Sequence, residues 1–170
     1  MVNALADKLV SYKAIEFGDF TLASGVKSPY YIDVKTAVTN PDLLSAIARV
    51  VSESYDFDIV AGVAVGGVPL AVATALAAKK PYAIIRSAGK DHGKKEMIIG
   101  RVRGKNVLLI EDVTTSGGSA LYGIDELRKA GASAARVVTV VDREQGAAAM
   151  LKKHDVDLIP LVRVSELIKQ

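Results

Sequence analysis

Residues 111–119 bring together two carboxylates, four hydroxyl side chains and two glycines. The nine residues are Glu111, Asp112, Val113, Thr114, Thr115, Ser116, Gly117, Gly118 and Ser119. Glycines let a backbone curl around an anion, and hydroxyl groups add hydrogen-bond donors. The two carboxylates would repel a phosphate, but they can accept hydrogen bonds from ribose hydroxyls or help to hold Mg²⁺. The segment therefore predicts a site for a phosphate beside a diol, as in a phosphorylated sugar.

The residues on either side predict how this segment is held. The apolar run 107–110 is typical of a buried strand in a parallel sheet, and residues 120–130 carry apolar side chains at helical spacing. A helix N-terminus offers free N–H groups and the positive end of the helix dipole, which suits a phosphate. An ordinary strand-to-helix connection with polar capping residues is the alternative. The pattern matches neither the P-loop nor the dinucleotide-binding glycine motif.

Composition limits the classes of protein to which the chain can belong. Its 170 residues are enough for a single domain, 1–170, and 50% of them are hydrophobic, which argues against disorder. No apolar run approaches the ~20 residues of a membrane span, and the segment after Met1 does not resemble a signal peptide. The absence of cysteine favours a cytoplasmic protein. A net charge of +3 with 5% aromatic residues argues against a nucleic-acid partner.

Strand and helix patterns alternate along most of the chain. Helices are predicted over 3–15, 40–55, 69–78, 118–130, 145–153 and from Ser165, and strands over 58–63, 81–85, 97–99, 106–111, 135–141 and 157–162, after two short antiparallel strands within 17–33. This alternation predicts an α/β fold with a doubly wound, mostly parallel sheet and helices on both faces. Ligands bind beyond the carboxyl ends of such strands. Arg86, the acidic pair and Arg143 all lie at those ends.

Two further segments are candidates for the same site. The turn 64–69 is rich in glycine and suits a second anion such as a pyrophosphate. Residues 87–96 are polar, carry Lys90 and His92, and lack a core pattern, so they are interpreted as a lid. A solvated hairpin tip is the alternative for this segment.

Four ordered segments resemble those of a known family. Residues 111–119 are similar to the 5-phosphoribosyl 1-pyrophosphate (PRPP) loop of type I phosphoribosyltransferases. Residues 20–33 resemble the N-terminal hood of orotate phosphoribosyltransferases, Arg86 with 90–93 their catalytic loop, and 142–146 their orotate-binding turn. The resemblance implies a hood built from about residues 1–35 and the C-terminal segment.

The implied reaction transfers ribose 5-phosphate from PRPP to N1 of orotate. The products are orotidine 5′-phosphate and pyrophosphate, in the pentosyltransferase step of de novo pyrimidine (UMP) biosynthesis. The resemblance also implies Mg²⁺, held mainly by the pyrophosphate and ribose of the substrate, with Asp112 as a further ligand. It implies a homodimer in which the loop 87–96 reaches the neighbouring site.

The same resemblance assigns roles to individual residues. Catalysis falls to Lys90, His92 and Asp112; PRPP binding to Arg86, Lys90, His92 and 111–119; and orotate binding to Thr115, Arg143, Tyr30 and Tyr31. Ordinary strand residues, with one ring inward and one outward, are the alternative for the tyrosine pair. The chain departs from the family at Ala23, Val65 and Ser87, where members often carry lysine.

Two other functions remain open from the sequence. One is a type I phosphoribosyltransferase that uses a purine or another pyrimidine, although the Arg143 turn and the tyrosine pair favour orotate. The other is a regulator that senses PRPP and binds nucleic acid; such a protein can dispense with Lys90 and His92, which this chain retains.

Overall fold

The structure, a computed structural model, describes residues 2–21, 25, 27–87 and 97–168. The predicted roles of Lys90 and His92, and the departure at Ala23, fall outside the described residues. The strands are β1 Ile15–Thr21, β2 Lys27–Ile32, β3 Ile59–Val63, β4 Tyr82–Ile85, β5 Ile98–Ile99, β6 Asn106–Thr114, β7 Ser133–Asp142 and β8 Asp157–Arg163. The helices are α1 Val2–Ser11, α2 Val34–Ala37, α3 Pro41–Ser54, α4 Gly67–Ala78, α5 Gly118–Lys129, α6 Ala147–Lys152 and α7 Val164–Ile168.

Six strands form one sheet in the order β5-β4-β3-β6-β7-β8. All neighbouring pairs are parallel except β4 with the edge strand β5, so the predicted doubly wound, mostly parallel sheet is confirmed. Strand β6 lies inside the sheet, and its residues 107–110 are at most 1% exposed. Because both faces of β6 are covered, its sequence is continuously apolar rather than alternating.

Helices cover both faces of this sheet. On one face, the core includes side chains of α1, α3, α4 and α7, such as Leu9, Ile47, Leu70 and Leu167. On the other face it includes side chains of α5 and α6, such as Ile124, Leu127 and Leu151. Burying each such side chain contributes roughly 1.5–3 kcal/mol to stability. In the described part of the chain, no helix is long and apolar enough to cross a membrane.

A separate antiparallel ribbon precedes the sheet. Strands β1 and β2 pair as predicted, with Phe17 opposite Tyr30 and Glu16 opposite Tyr31. Adjacent strand residues point to opposite faces, so the two tyrosines diverge. Tyr30 packs against the core, whereas Tyr31 is exposed and its ring lies 5.7 Å from that of Phe20.

The structure differs from the sequence predictions in three places. Strand β6 continues to Thr114 instead of ending at residue 111, because Val113 and Thr114 still pair with Val141 and Asp142 of β7. Helix α2 was not predicted; four residues are too few to show a helical period. Helix α1 ends at Ser11 instead of residue 15, because Lys13 has a φ of +57° and Ile15 pairs with Ile32 as the first residue of β1.

Candidate active site

Strand pairing gathers the candidate residues at one edge of the sheet. Thr114 at the end of β6 pairs with Asp142 at the end of β7, and Val63 of β3 pairs with Ile85 of β4. Arg86 and Arg143 each follow directly after one of these strand ends. Arg86 is thereby placed along the same edge as Asp142 and Arg143, although it is 56 or more positions away from them in sequence. This edge is where α/β sheets bind ligands.

The turn after β6 encloses a pocket of about 110 Å³. Its lining is Glu111, Val113, Thr114, Thr115, Ser116, Gly117, Gly118, Ser119 and Ala120. Gly117 has a φ of +85°, a left-handed conformation that favours glycine. Helix α5 begins directly after it, and the first N–H groups of a helix have no acceptor within the helix. The pocket therefore combines backbone N–H groups, hydroxyls and a helix dipole, which together can hold a phosphate.

Glu111 lies in the wall of this pocket and is 4% exposed. Burial raises the pKa of its carboxyl to about 7, although a hydrogen bond donated by Ser119 Oγ at 2.9 Å opposes the shift, and the nearby Asp112 adds to it. Near neutral pH the group is present in both protonation states. It can therefore donate to or accept from a ligand hydroxyl, as a diol requires.

Asp112 connects the two glycine-rich turns. A Cβ on Gly66, in the turn after β3, would lie 2.5 Å from the Asp112 Cγ, so only glycine leaves room for this carboxylate. In the same turn, the peptide bond between Ala64 and Val65 is cis. Burial raises the pKa of Asp112, while hydrogen bonding to the Val113 backbone and the charge of Lys35 lower it.

The carboxylate oxygens at this position suit Mg²⁺, which prefers oxygen ligands. The described residues contain no cluster of three or more His, Cys, Asp or Glu side chains able to hold a metal. Asp112 can supply a carboxylate oxygen to such an ion.

Arg143 lies beside the phosphate pocket, one residue after β7. Its backbone N–H donates to the Thr114 carbonyl at 2.9 Å, and Thr114 Oγ1 donates to Asp142 Oδ1 at 3.2 Å. Its guanidinium carbon lies 5.7 Å from the centre of the Tyr30 ring, within the range of a cation–π contact. Arg143 Nε is buried and has no hydrogen-bond partner among the described residues. A planar cation with an unused donor suits a flat anion.

Other predicted site residues occupy different positions. Arg86 is half-buried; its N–H donates to the Met97 carbonyl and its own carbonyl accepts from the Tyr122 hydroxyl at 3.0 Å. Thr115 lines the phosphate pocket. The structure brings Tyr30 to Arg143. It places Tyr31 on the opposite side of the ribbon, where its ring contacts the ring of Phe20.

Sequence reasoning missed Lys35 and Asp33 as neighbours of Asp112. The charges of both act on the Asp112 carboxyl, because α2 is placed against β6 at this edge. Asp33 caps α2: its Oδ1 accepts from the Thr36 N–H at 3.0 Å and its Oδ2 from the Thr36 hydroxyl at 2.7 Å. An aspartate three residues before a threonine is the signal that predicts such a cap.

Comparison with known proteins places the chain in a family. The phosphoribosyl transferase domain model matches residues 34–162. The orotate phosphoribosyltransferase of Methanocorpusculum labreanum is 66% identical over 168 residues, which cover 99% of each chain.

Solved structures show the same similarity. The orotate phosphoribosyltransferase of Mycobacterium tuberculosis H37Rv, in complex with Fe(III) dicitrate, is 30% identical with a TM-score of 0.84 and 98% coverage of both chains. A crystal structure of the orotate phosphoribosyltransferase of the same organism in complex with PRPP is 26% identical, with a TM-score of 0.78 and the same coverage. The strand-end site and these similarities together show that the chain belongs to the phosphoribosyltransferase family, among the orotate phosphoribosyltransferases.

Proposed function

We propose that this chain transfers ribose 5-phosphate from PRPP to N1 of orotate. The observation that carries this proposal is the pairing of Thr114 with Asp142, which sets a phosphate pocket beside the half-buried Arg143, whose Nε is buried without a hydrogen-bond partner among the described residues. One ligand is a phosphorylated sugar and the other is a flat anion, and both meet at one strand edge. The relative from Mycobacterium tuberculosis supports the first half, because it binds PRPP.

Each part of the site has a task in this reaction. The turn 114–119 holds the 5-phosphate, and Glu111 and Asp112 hold the ribose hydroxyls. The bond from C1 to the pyrophosphate oxygen breaks with its electron pair on the leaving group, N1 of orotate forms the new bond to C1, and the N1 proton passes to the released pyrophosphate or to water. Arg143 fixes the orotate carboxylate or ring oxygens while the ribose carries positive charge at C1. Mg²⁺, when bound with Asp112 and the substrate, offsets the charge of the pyrophosphate.

Lys90 and His92 are included in the proposal on the basis of the sequence. Both carry donors that suit the departing pyrophosphate, and closure of the loop 87–96 would exclude water that otherwise hydrolyses the donor. Arg86 lies where this loop begins. We assign all three to the leaving-group side of the site.

A homodimer is part of the same proposal. Large apolar side chains are exposed in the turn before α4, in α4 itself and on the β4–β5 pair: Val65 at 78%, Leu76 at 75%, Tyr82 at 45% and Ile99 at 49%. Residues of this size gain stability when a second surface removes them from water. A second copy of the chain on this face would also bring the loop 87–96 of one subunit towards the other site.

The decisive experiment follows orotate consumption with PRPP and Mg²⁺, each omitted in turn. We expect consumption only when all three are present. Arg143→Lys keeps the charge but loses the planar fork, so KM for orotate should rise at least roughly tenfold while KM for PRPP stays unchanged.

Arg163→Lys is the matched control, since Arg163 ends the adjacent strand β8, is exposed, and interacts with Glu166. Turnover of a purine base instead of orotate would overturn the assignment of Arg143. Tight PRPP binding without turnover of any base would favour the regulatory function.

A further inference from the structure

A large cavity among the described residues lies outside the phosphate pocket. It is a groove of about 810 Å³, a volume typical of small-molecule sites. Four cationic side chains line it: Arg101, Arg103, Lys105 and Lys129. Glu126 is the single carboxylate of its described lining, which leaves three net positive charges. We call this cavity the basic groove.

The position of the basic groove separates it from the phosphate pocket. One wall is the end of α5, whose opposite end forms the phosphate pocket. Gly118 in the pocket and Lys129 in the groove are therefore roughly 16 Å apart along the helix axis. The other wall is formed by residues 97–105, which run from the carboxyl end of β4, where the Met97 carbonyl accepts from the Arg86 backbone N–H, to the start of β6. No step of the proposed reaction uses these residues.

Backbone contacts hold the cationic wall in place. Residues 102–105 form a turn closed by a hydrogen bond from the Lys105 N–H to the Val102 carbonyl at 3.1 Å, with Gly104 at a φ of +70°. The Gly104 N–H donates to the Gly131 carbonyl at 2.8 Å, which ties this turn to the end of α5. Val102 is 3% exposed and anchors the segment, while Arg101 and Arg103 on either side stay exposed.

The charges of the groove are poorly balanced from within. Glu126 pairs with Lys129 at 2.7 Å, which leaves the two arginines and Lys105 as the remaining charged residues of the described lining. Like charges gathered in a concave surface repel one another and raise the local concentration of anions. Arginine binds phosphate through two parallel hydrogen bonds. An oligophosphate supplies several negative charges over the span of such a cluster.

The apolar residues of the lining indicate to which kind of molecule the oligophosphate is attached. Met97, Ile98 and Ala130, which are half-buried, provide apolar surface beside the cations. The described lining contains no aromatic side chain, whereas single-stranded nucleic acids are usually held by aromatic stacking. We propose that the basic groove binds the di- or triphosphate of a free nucleotide, with the sugar and base against the apolar lining.

Calorimetric titration of the full chain with ATP and, separately, with inorganic tripolyphosphate tests this proposal. Both probes also reach the phosphate pocket, so the groove is identified by variants. Arg101→Met/Arg103→Met removes two charges and keeps the aliphatic packing of Arg103 over Gly131. Lys152→Met/Lys153→Met removes the same charge from exposed positions that do not line the groove.

We expect wild type and the lysine control to show two binding events for ATP. The arginine variant should lose one event or weaken it at least roughly tenfold, and its turnover of orotate without ATP should be unchanged. Arg101→Glu alone, at an exposed position, should give the same loss if the double variant is unstable by thermal melting.

Four results would overturn the proposal. Equal loss in the lysine control would show general charge attraction, and a single binding event in all proteins would show that the groove takes no oligophosphate. Loss of the dimer together with loss of binding would assign the face to a second copy. Equal affinity for ATP and tripolyphosphate would reject the nucleotide and leave an inorganic oligophosphate.

Discussion

The turns after β3 and after β6 look alike in sequence, yet their glycines serve different purposes. At the first turn, a Cβ on Gly62, near the end of β3, would overlap the Gly67 carbonyl oxygen, and a Cβ on Gly67 would lie 2.7 Å from the Ile110 carbonyl oxygen. In the second turn, Gly117 adopts a positive φ, and a Cβ on Gly118 would meet nothing within 4 Å. The first turn is packed backbone against backbone, whereas the second leaves space beside its helix.

A glycine-rich turn after a strand can therefore serve either packing or ligand binding. Tight packing of the first turn fixes α4 against β3 and β6, and so fixes the position of the Asp112 carboxylate beside Gly66. The open second turn forms the phosphate pocket. The first turn therefore supports the site mainly through packing, and the second mainly through ligand contacts.

The largest difference in stability should appear when a methyl group is added to one glycine beside each turn. Gly62→Ala places a Cβ within the backbone of α4, so we expect a loss of about 3 kcal/mol or more in the free energy of unfolding. Gly118→Ala, in the first position of α5, should leave stability within about 0.5 kcal/mol or raise it, because alanine favours helix. Urea unfolding measures both values. Similar losses in the two variants would contradict the distinction between the turns.

Much of this arrangement follows from the sequence, because apolar periodicity is local. The strands 58–63 and 157–162 were predicted to within one residue of their observed ends. The end of β6 was not, since Asp112 and Thr114 interrupt the apolar run, and Val113 and Thr114 are held in the strand by pairing with β7. Long-range pairing of this kind leaves no local pattern.

The contacts inside the site were less accessible to sequence reasoning. The strand ends predicted that Arg143 and the acidic pair would share an edge, but not that the Arg143 guanidinium would lie over Tyr30. Equally, the approach of Asp112 to Gly66 depends on how α4 packs against β6. Such contacts depend on tertiary packing, which spacing does not encode.

Glu111 should give the next largest effect, through pH. Its pKa is about 7 in the folded chain against an ordinary value of 4.5, so the folded state binds the proton more tightly than the unfolded state. Stability therefore falls as pH rises from about 4.5 to 7, and the full penalty, up to about 3 kcal/mol, persists above pH 7. Glu111→Gln removes the charge and can still accept from Ser119.

We expect ligand-free Glu111→Gln to be more stable than wild type at pH 8, by up to about 3 kcal/mol, and the gain to vanish near pH 4.5. Urea unfolding at several pH values measures the difference. Glu53→Gln, at an exposed position in α3, is the control and should show no comparable change with pH. A gain of the same size at every pH would show that burial of the Glu111 charge is not its cause.

The smallest loss of stability should appear where Gly66 of the first turn meets Asp112 of β6. Gly66→Ala puts a Cβ against the end of the Asp112 side chain, which can move, so we expect a stability loss of about 1 kcal/mol together with a loss of turnover. If the turnover loss arises through displacement of Asp112, it should be much smaller in an Asp112→Asn background. A double-mutant cycle in kcat/KM measures this coupling. Additive effects would mean that Gly66 acts on the reaction independently of Asp112, and the two turns would then not be linked through this carboxylate.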